Sequence, residues 1–457
     1  MTAENFDMEE LLQYVEERKF RLLRSRLAEM NEADIAEFME ELDDNKKVLI
    51  FRMLPKDQAA DAFAFLEPDI QQHIINSITD YELGKIVEDL YVDDAVDMLE
   101  ELPAIVVKRV LQNATPQTRN LINQFLQYPE NSAGSIMTAE YIGLKRNMTV
   151  EQAFAYIREN GVDKETIYTC FVTDSKRCLQ GVVTVKDLLM NPYDTIIKDI
   201  MDENIIYAVT TEDREDVVET FNKYDLLCLP VVDHEDRLVG IVTVDDAVEV
   251  MEQEATEDFE KMAAILPSDK PYLKTGVFET WRARTPWLMM LMLSATFTGM
   301  ILTHFENSLA AVPILTSYIP MLSGTGGNSG TQASTAVIRA LSLGEVRFSD
   351  LLRVVWKECR VALICGVCLA AANFVKMMVV DCWLLANPTV TPAVAAVVCC
   401  TLVGTVACAK LVGASLPILA EKIGFDPAVM ASPFISTIVD ALSLLIYFRF
   451  ATWILGV

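Results

Sequence analysis

Histidine is scarce in this chain of 457 residues: there are three, His73, His234 and His304, far apart in sequence. A histidine-rich transition-metal centre is therefore excluded. An apolar leader is missing too. Met1 to Glu17 is acidic and reads as helical, so no secretory signal is expected and the front of the chain is expected to stay in the cytoplasm. No G-x-x-x-x-G-K-S/T segment occurs, which removes a P-loop motor. No nucleophile–base pair or metal triad is visible, so the chain is not expected to be an enzyme.

Positive charge is the next shortage. Residues 1–270 carry 26 Lys+Arg against 57 Asp+Glu, while residues 271–457 carry 12 against 9. The whole net charge of −28 thus belongs to the front two-thirds. Such a balance argues against nucleic acid as a partner, and it opposes compaction unless counter-cations relieve it. Of ten cysteines, seven (Cys359, Cys365, Cys368, Cys382, Cys399, Cys400 and Cys408) lie in or beside apolar runs, where they read as packing groups. Cys365 and Cys368 form a C-x-x-C inside an apolar helical run, a poor place for zinc.

What is present begins with a period of twelve: Met30, Leu42, Leu54, Leu66, Ile78, Leu90 and Leu102. Turn or cap residues follow them, among them Asn31, Asp43, Pro55, Pro68, Thr79 and Pro103. A short fixed period with breakers predicts small helices stacked into a superhelix, because none can bury its own face alone. Residues 1–130 are assigned to this acidic α-helical superhelix. Its carboxylates include Asp61, Asp93, Asp94 and Asp97, and the i, i+4 spacing of Asp93 and Asp97 puts them on one helix face.

Residues 135–253 contain an internal duplication. Ser135-Ile136-Met137-Thr138 is echoed by Asp199-Ile200-Met201-Asp202, and Gly181-Val182-Val183-Thr184-Val185-Lys186-Asp187 by Gly240-Ile241-Val242-Thr243-Val244-Asp245-Asp246. Short β-type runs alternate with helices predicted to start at Thr149 and near Asp213, an α/β pattern. These residues resemble a tandem pair of cystathionine-β-synthase (CBS) domains. The resemblance implies an adenine nucleotide, such as ATP, as a regulator, held by Thr184 and Asp187 or by Thr243 and Asp246. Next comes an acidic helix carrying Asp246, Glu249, Glu254, Glu257 and Asp258, with few bases to pair them. Residues 254–276 are assigned as a connecting helix running toward Trp281.

Residues 277–457 hold five apolar spans, at about 286–305, 312–340, 359–384, 392–419 and 428–455, each near the ~20 residues a bilayer needs. The first is expected to start with Pro286 at its N-terminus. Basic residues gather before the first span and between the second and third and the fourth and fifth, so those sides are expected in the cytoplasm. Lys376 is expected to snorkel outward; Lys410 has no evident partner. Asp440 stands alone in the last span, and a carboxylate at bilayer depth costs roughly 2.5–3.5 kcal/mol, so it faces a bundle interior or water. Ser432, Ser436 and Asp440 share one helical strip. In the second span, four glycines with hydroxyls and amides (Ser323 to Thr335) are expected to line protein or water, whether as irregular backbone or as close helix packing.

The stretch P-x-x-x-G-x-G-G-N-x-G-x-Q-A-S at 320–334 resembles the signature of the MgtE family of bacterial magnesium channels, and the resemblance extends over the chain. It implies a multidomain membrane protein: helical superhelix, tandem CBS domains, connecting helix and five-helix transmembrane domain. It further implies a homodimer in the inner membrane with a passive Mg2+ pore on its two-fold axis. That pore would be lined by Asp440, Asn328, Gln332, Ser432 and Ser436. Closure would follow from cytoplasmic Mg2+ binding at Asp61, Asp93, Asp97, Asp213, Glu215, Asp225, Asp246, Glu249, Glu254, Glu257 and Asp258. Ser323, Thr325 and Ser329 replace the small apolar residues frequent in the family. The alternatives are a carrier of an organic solute or of another divalent cation (cobalt, manganese), or a membrane-anchored adenylate sensor without a conduit.

Overall fold

The computed structural model describes residues 8–162, 164–268, 272–385, 388–430 and 432–456, leaving aside the side chains of Lys56, Asp57 and Ser432. They form two compact units, residues 1–250 and 251–457.

The first unit opens with ten short helices: α1 (Met8–Glu16), α2 (Phe20–Leu27), α3 (Glu32–Glu40), α4 (Asp44–Phe51), α5 (Lys56–Ala64), α6 (Pro68–Ser77), α7 (Asp80–Asp89), α8 (Val92–Glu101), α9 (Ala104–Asn113) and α10 (Pro116–Phe125). From α3 onward a helix starts every twelve residues, as the periodicity predicts. Each helix packs on the next but one, α3 on α5, α4 on α6 and so on to α8 on α10, which winds the row into a superhelix. The periodic Met30, Leu42, Leu54, Leu66, Ile78 and Leu102 are all buried. Side-chain caps open α3, α7 and α10: Asn31 accepts from the Ala33 N–H at 3.0 Å, Thr79 with Glu82 forms a capping box before α7, and Thr115 accepts from the Thr118 N–H. Arg109 clasps the far end of α6, donating to the carbonyls of Ile75 (2.6 Å) and Ile78 (2.9 Å) and to Asp80.

Two three-stranded sheets follow. β1 (Gly143–Lys145), β2 (Thr169–Thr173) and β3 (Leu179–Thr184) carry α11 (Val150–Asn160) and α12 (Val185–Met190); after α13 (Ile197–Ile200), β4 (Ala208–Val209), β5 (Cys228–Val232) and β6 (Leu238–Thr243) carry α14 (Arg214–Tyr224) and the start of α15 (Val244–Met262). The duplication read from sequence is repeated in register. Gly181 lies opposite Val172 and Gly240 opposite Val231, with a bulge at the same place in each sheet. The leaders are exchanged: Met137 and Thr138 pack on Gly240 of the second copy, and Met201 and Asp202 on Gly181 of the first. A Cβ at either position would meet a methionine sulfur at 2.7 Å, and at Gly240 it would also meet the Thr138 carbonyl oxygen at 2.7 Å, which cannot turn aside as a side chain can.

The connecting helix departs from expectation. It is no separate element over 254–276 but the second half of α15, which ends at Met262, with Ala264 at φ 55 soon after. The second unit then runs α16 (Val277–His304), α17 (Glu306–Ala311), α18 (Ile319–Ser342), α19 (Leu351–Lys376), α20 (Pro392–Lys422) and α21 (Ser432–Leu455). Pro286 does not begin α16 but lies inside it, so its missing N–H leaves the Arg282 carbonyl without its helical partner. α19 passes into a π-helical turn, Met377–Leu384. Among the described residues four helical segments are long and apolar enough to cross a membrane: Val277–His304, Phe348–Leu384, Pro392–Lys422 and Pro427–Leu455. α18 is long enough at 24 residues, but its hydroxyls and amides keep it from counting by hydropathy. It packs between α20 and α21.

Candidate functional site: an acidic cluster and a polar membrane strip

In the first unit, α8 brings Asp93, Asp94 and Asp97 to the start of α15, where Asp246 and Glu249 lie, and α5 adds Asp61. Glu140 and Glu165, in the loops before β1 and β2, complete the group. Glu165 donates its N–H to the Glu140 carbonyl at 3.0 Å. Asp93 Oδ1 is buried without a hydrogen-bond partner. Loss of solvent, and then the neighbouring Asp94, Asp246 and Glu165, push its carboxyl well above the usual range. Burial, and then Asp246, Asp61, Glu249 and Glu140, lift Asp94 to about 6; burial, and then Asp246, Asp245, Asp94 and Glu140, lift Glu165 to about 7. Asp97 reaches about 7 because protein crowds it, though its own surface is open, with Glu100, Asp94, Glu249 and Asp246 adding to the shift. Every charged group shifting these four carboxyls is itself an acid.

The arrangement has a pH signature. Carboxyls whose pKa values rise on folding hold their protons to higher pH in the folded state than in the unfolded chain. Between about pH 4 and about pH 7 the folded unit therefore binds the extra protons, and its stability falls as pH rises through that window. Thermal melts of residues 1–250 in chelator are expected to drop by roughly 5 °C or more between pH 5 and pH 8, and saturating Mg2+ should flatten the trend. A midpoint indifferent to pH would mean that the cluster is not strained.

Other acids named from sequence fall elsewhere. Asp213 caps α14, accepting from the Glu215 N–H at 2.9 Å, whereas Asp225 closes the far end of that 11-residue helix at φ 52. At 1.5 Å per residue the two ends lie about 16 Å apart, so this unit does not join Asp225 to the other two. In the second unit Glu254, Glu257 and Asp258 lie on the last turns of α15. The base that the sequence seemed to lack there is Lys261, 2.6 Å from both Glu257 and Asp426. Asp258 is raised to about 6 by burial and then by Asp426. The signature pairs are engaged with one another. Thr184 Oγ1 donates to Asp187 at 2.5 Å and Thr243 Oγ1 to Asp246 at 2.6 Å, each opening a helix. Among the described residues no group of three or more His, Cys, Asp or Glu side chains has the spacing to enclose a metal ion.

In the second unit the glycine-rich stretch is a regular helix, with no irregular backbone. Gly326, Gly327 and Gly330 form its buried face: Gly330 meets the backbone of Gly413 on α20, and Gly327 lies 3.2 Å, from where its Cβ would stand, from Ser436 Oγ on α21. Close packing is thus their role. The opposite stripe, Gly324, Asn328, Gln332 and Thr335, is exposed. On the same face as these glycines, Ser323 donates to the carboxylate of Asp440. Ser323, Gly327, Ser436 and Asp440 therefore share one seam between α18 and α21, while Asn328 and Gln332, also expected in the pore, lie on the opposite, exposed stripe of α18; the side chain of Ser432 lies outside the described residues. Lys410 has a partner after all, Glu358 on α19 at 3.7 Å, both largely buried. Lys376 does not simply snorkel: it pairs with Asp381 at 2.8 Å, which also accepts from Tyr318 Oη at 3.0 Å.

A family model described as a divalent cation transporter, MgtE, matches residues 319–450; the MgtE intracellular N domain matches 30–131, and the CBS domain 133–193 and 197–253. The magnesium transporter MgtE of Thermus thermophilus is 37% identical over 97% of this chain and 98% of its own length. The chain belongs to the MgtE family. The Bacillus subtilis magnesium transporter MgtE is 31% identical over 95% of this chain and 94% of its own. The crystal structure of the cytosolic domain of the Mg2+ channel MgtE in complex with ATP matches with TM-score 0.51 and 34% identity, covering 53% of this chain and 99% of that one. The soluble part of a magnesium transporter matches at 0.52 and 30%, covering 55% and 100%. MgtE proteins are membrane transporters rather than enzymes, and this chain carries the family's soluble domain, CBS pair and apolar helices.

Proposed function

We propose that the chain is a passive, magnesium-selective channel of the cell membrane, working as a homodimer with its first unit in the cytoplasm and closed by cytoplasmic Mg2+. The observation that carries the sensor is Asp93 Oδ1, buried and unpartnered among acids. A buried carboxylate whose charged neighbours among the described residues are all acids calls for a cation. Mg2+ dehydrates reluctantly and reaches protein through one or two carboxylates with its waters kept, so no tight cage of three acids is needed. Bound ions at the cluster would hold the compact, closed form, and their loss would let like charges separate. For the conduit, five spans are proposed, α18 among them. Its exposed polar stripe cannot face lipid, and a second copy or a water path must cover it.

The full chain in liposomes tests this reading. Mg2+ uptake down its gradient is expected to fall about tenfold or more when the side bearing the first unit holds millimolar Mg2+, as a two-state shift of a few kcal/mol requires. Flux that ignores Mg2+ on that side would defeat the sensor reading.

An adenine nucleotide is proposed at the first signature, Thr184 and Asp187. At the second, Asp246 stands in the acidic cluster, where phosphates would meet like charge. Calorimetry is expected to find one ATP per chain and none in Asp187→Ala. Bound ATP should also shift the Mg2+ dependence of closure, since linkage acts through different affinities for the two states. Two ATP per chain, or none in the wild type, would remove this assignment.

A further inference from the structure

At the N-terminal end of α19, charge is divided between two faces. Glu358 turns inward to Lys410. Arg353, Trp356, Lys357 and Arg360 are all exposed and fall at i, i+3, i+4 and i+7, one face of the helix. Arg353 pairs with Asp350 at 2.9 Å yet keeps 87% of its side chain open. The Arg360 guanidinium lies 5.8 Å from the centre of the Trp356 ring, and among the described residues neither Lys357 nor Arg360 has an ion pair. Further along the same face come exposed Leu363 and Ile364.

We propose that this face of α19 is a binding site for an anionic phospholipid. Its phosphate lies against Arg353, Lys357 and Arg360, its glycerol region lies beside Trp356, and its acyl chains follow Leu363 and Ile364. The stripe has a lipid's own order, cationic and aromatic first and then apolar, on a segment with the length and composition of a membrane span. Charge complementarity selects the occupant. Two unneutralised bases, Lys357 and Arg360, with the largely open Arg353 beside them, favour a headgroup of net negative charge over a zwitterionic one, each unpaired base contributing roughly fivefold. Neither the ion conducted nor the acidic cluster enters this inference.

Native mass spectrometry of the purified full chain tests it, with phosphatidylglycerol and phosphatidylcholine of the same acyl chains as probes. The wild type should retain phosphatidylglycerol about tenfold more tightly, and Arg353→Gln/Lys357→Gln/Arg360→Gln should lose that preference. If that variant misfolds, Arg353→Lys/Arg360→Lys keeps the charge and should keep the preference, whereas Lys357→Gln alone should weaken it. Equal retention of the two lipids by the wild type overturns the proposal. So does an unchanged preference in the neutral variant. A change of oligomeric state without change in lipid retention would mean that a second copy covers this face instead, and also overturns it.

Discussion

Asp440→Ala is expected to abolish Mg2+ flux, or to cut it by more than about tenfold, while yield and oligomeric size hold. Removing a charge from membrane depth relieves a desolvation cost rather than opening a core. The partner lost is one hydroxyl, Ser323, which can turn to a carbonyl of its own helix. Asp440→Asn keeps the shape and one acceptor, so it should damage selectivity for divalent ions more than assembly. Asp440→Glu keeps the charge one methylene away and should retain partial flux. Stopped-flow measurements in liposomes separate these cases. Wild-type flux in Asp440→Ala would move the conduit to the stripe of Asn328 and Gln332.

Neutralising the cluster should do the opposite. In Asp93→Asn/Asp97→Asn/Asp246→Asn/Glu249→Gln the groups that repel are gone, so the first unit is expected to stay compact without Mg2+ and to lose its Mg2+ response. Small-angle scattering of residues 1–250 should show the wild type contracting as Mg2+ is added, and the variant already contracted. In the full chain, inhibition by Mg2+ should weaken by about tenfold or more, because the ion no longer discriminates between the two forms. A variant that still closes at the wild-type concentration would place the sensor elsewhere.

Much of this was legible because it repeats. A twelve-residue period gives a helix at every start, and two copies of one β-α pattern give two sheets with the same bulge. Periodic burial is a local property, readable without knowing what packs on what. Asp61, Asp93, Asp97, Asp246 and Glu249 were named from sequence and the chain folds them together. Glu140 and Glu165 were not, because only the parallel pairing of β1 with β2 brings their loops to α8. Lys410 is a similar case, since its partner sits on another helix. The glycines of α18 left two readings open for a different reason: glycine marks both a broken backbone and a close helix contact, and only the presence of α20 and α21 decides between them.

The uniform period of the opening helices makes the length of that arm a discrete quantity. Because each helix rests on the next but one, removing a single unit would turn every later helix to the other side of the row and carry Asp93 away from Asp246. Removing two neighbouring units would restore every face and only shorten the arm. Inserting one residue would rotate everything beyond it by about 100°. A length change that keeps Asp93 facing Asp246 is thus confined to whole pairs of units, and the distance over which the acids of α8 are delivered can change only in those steps.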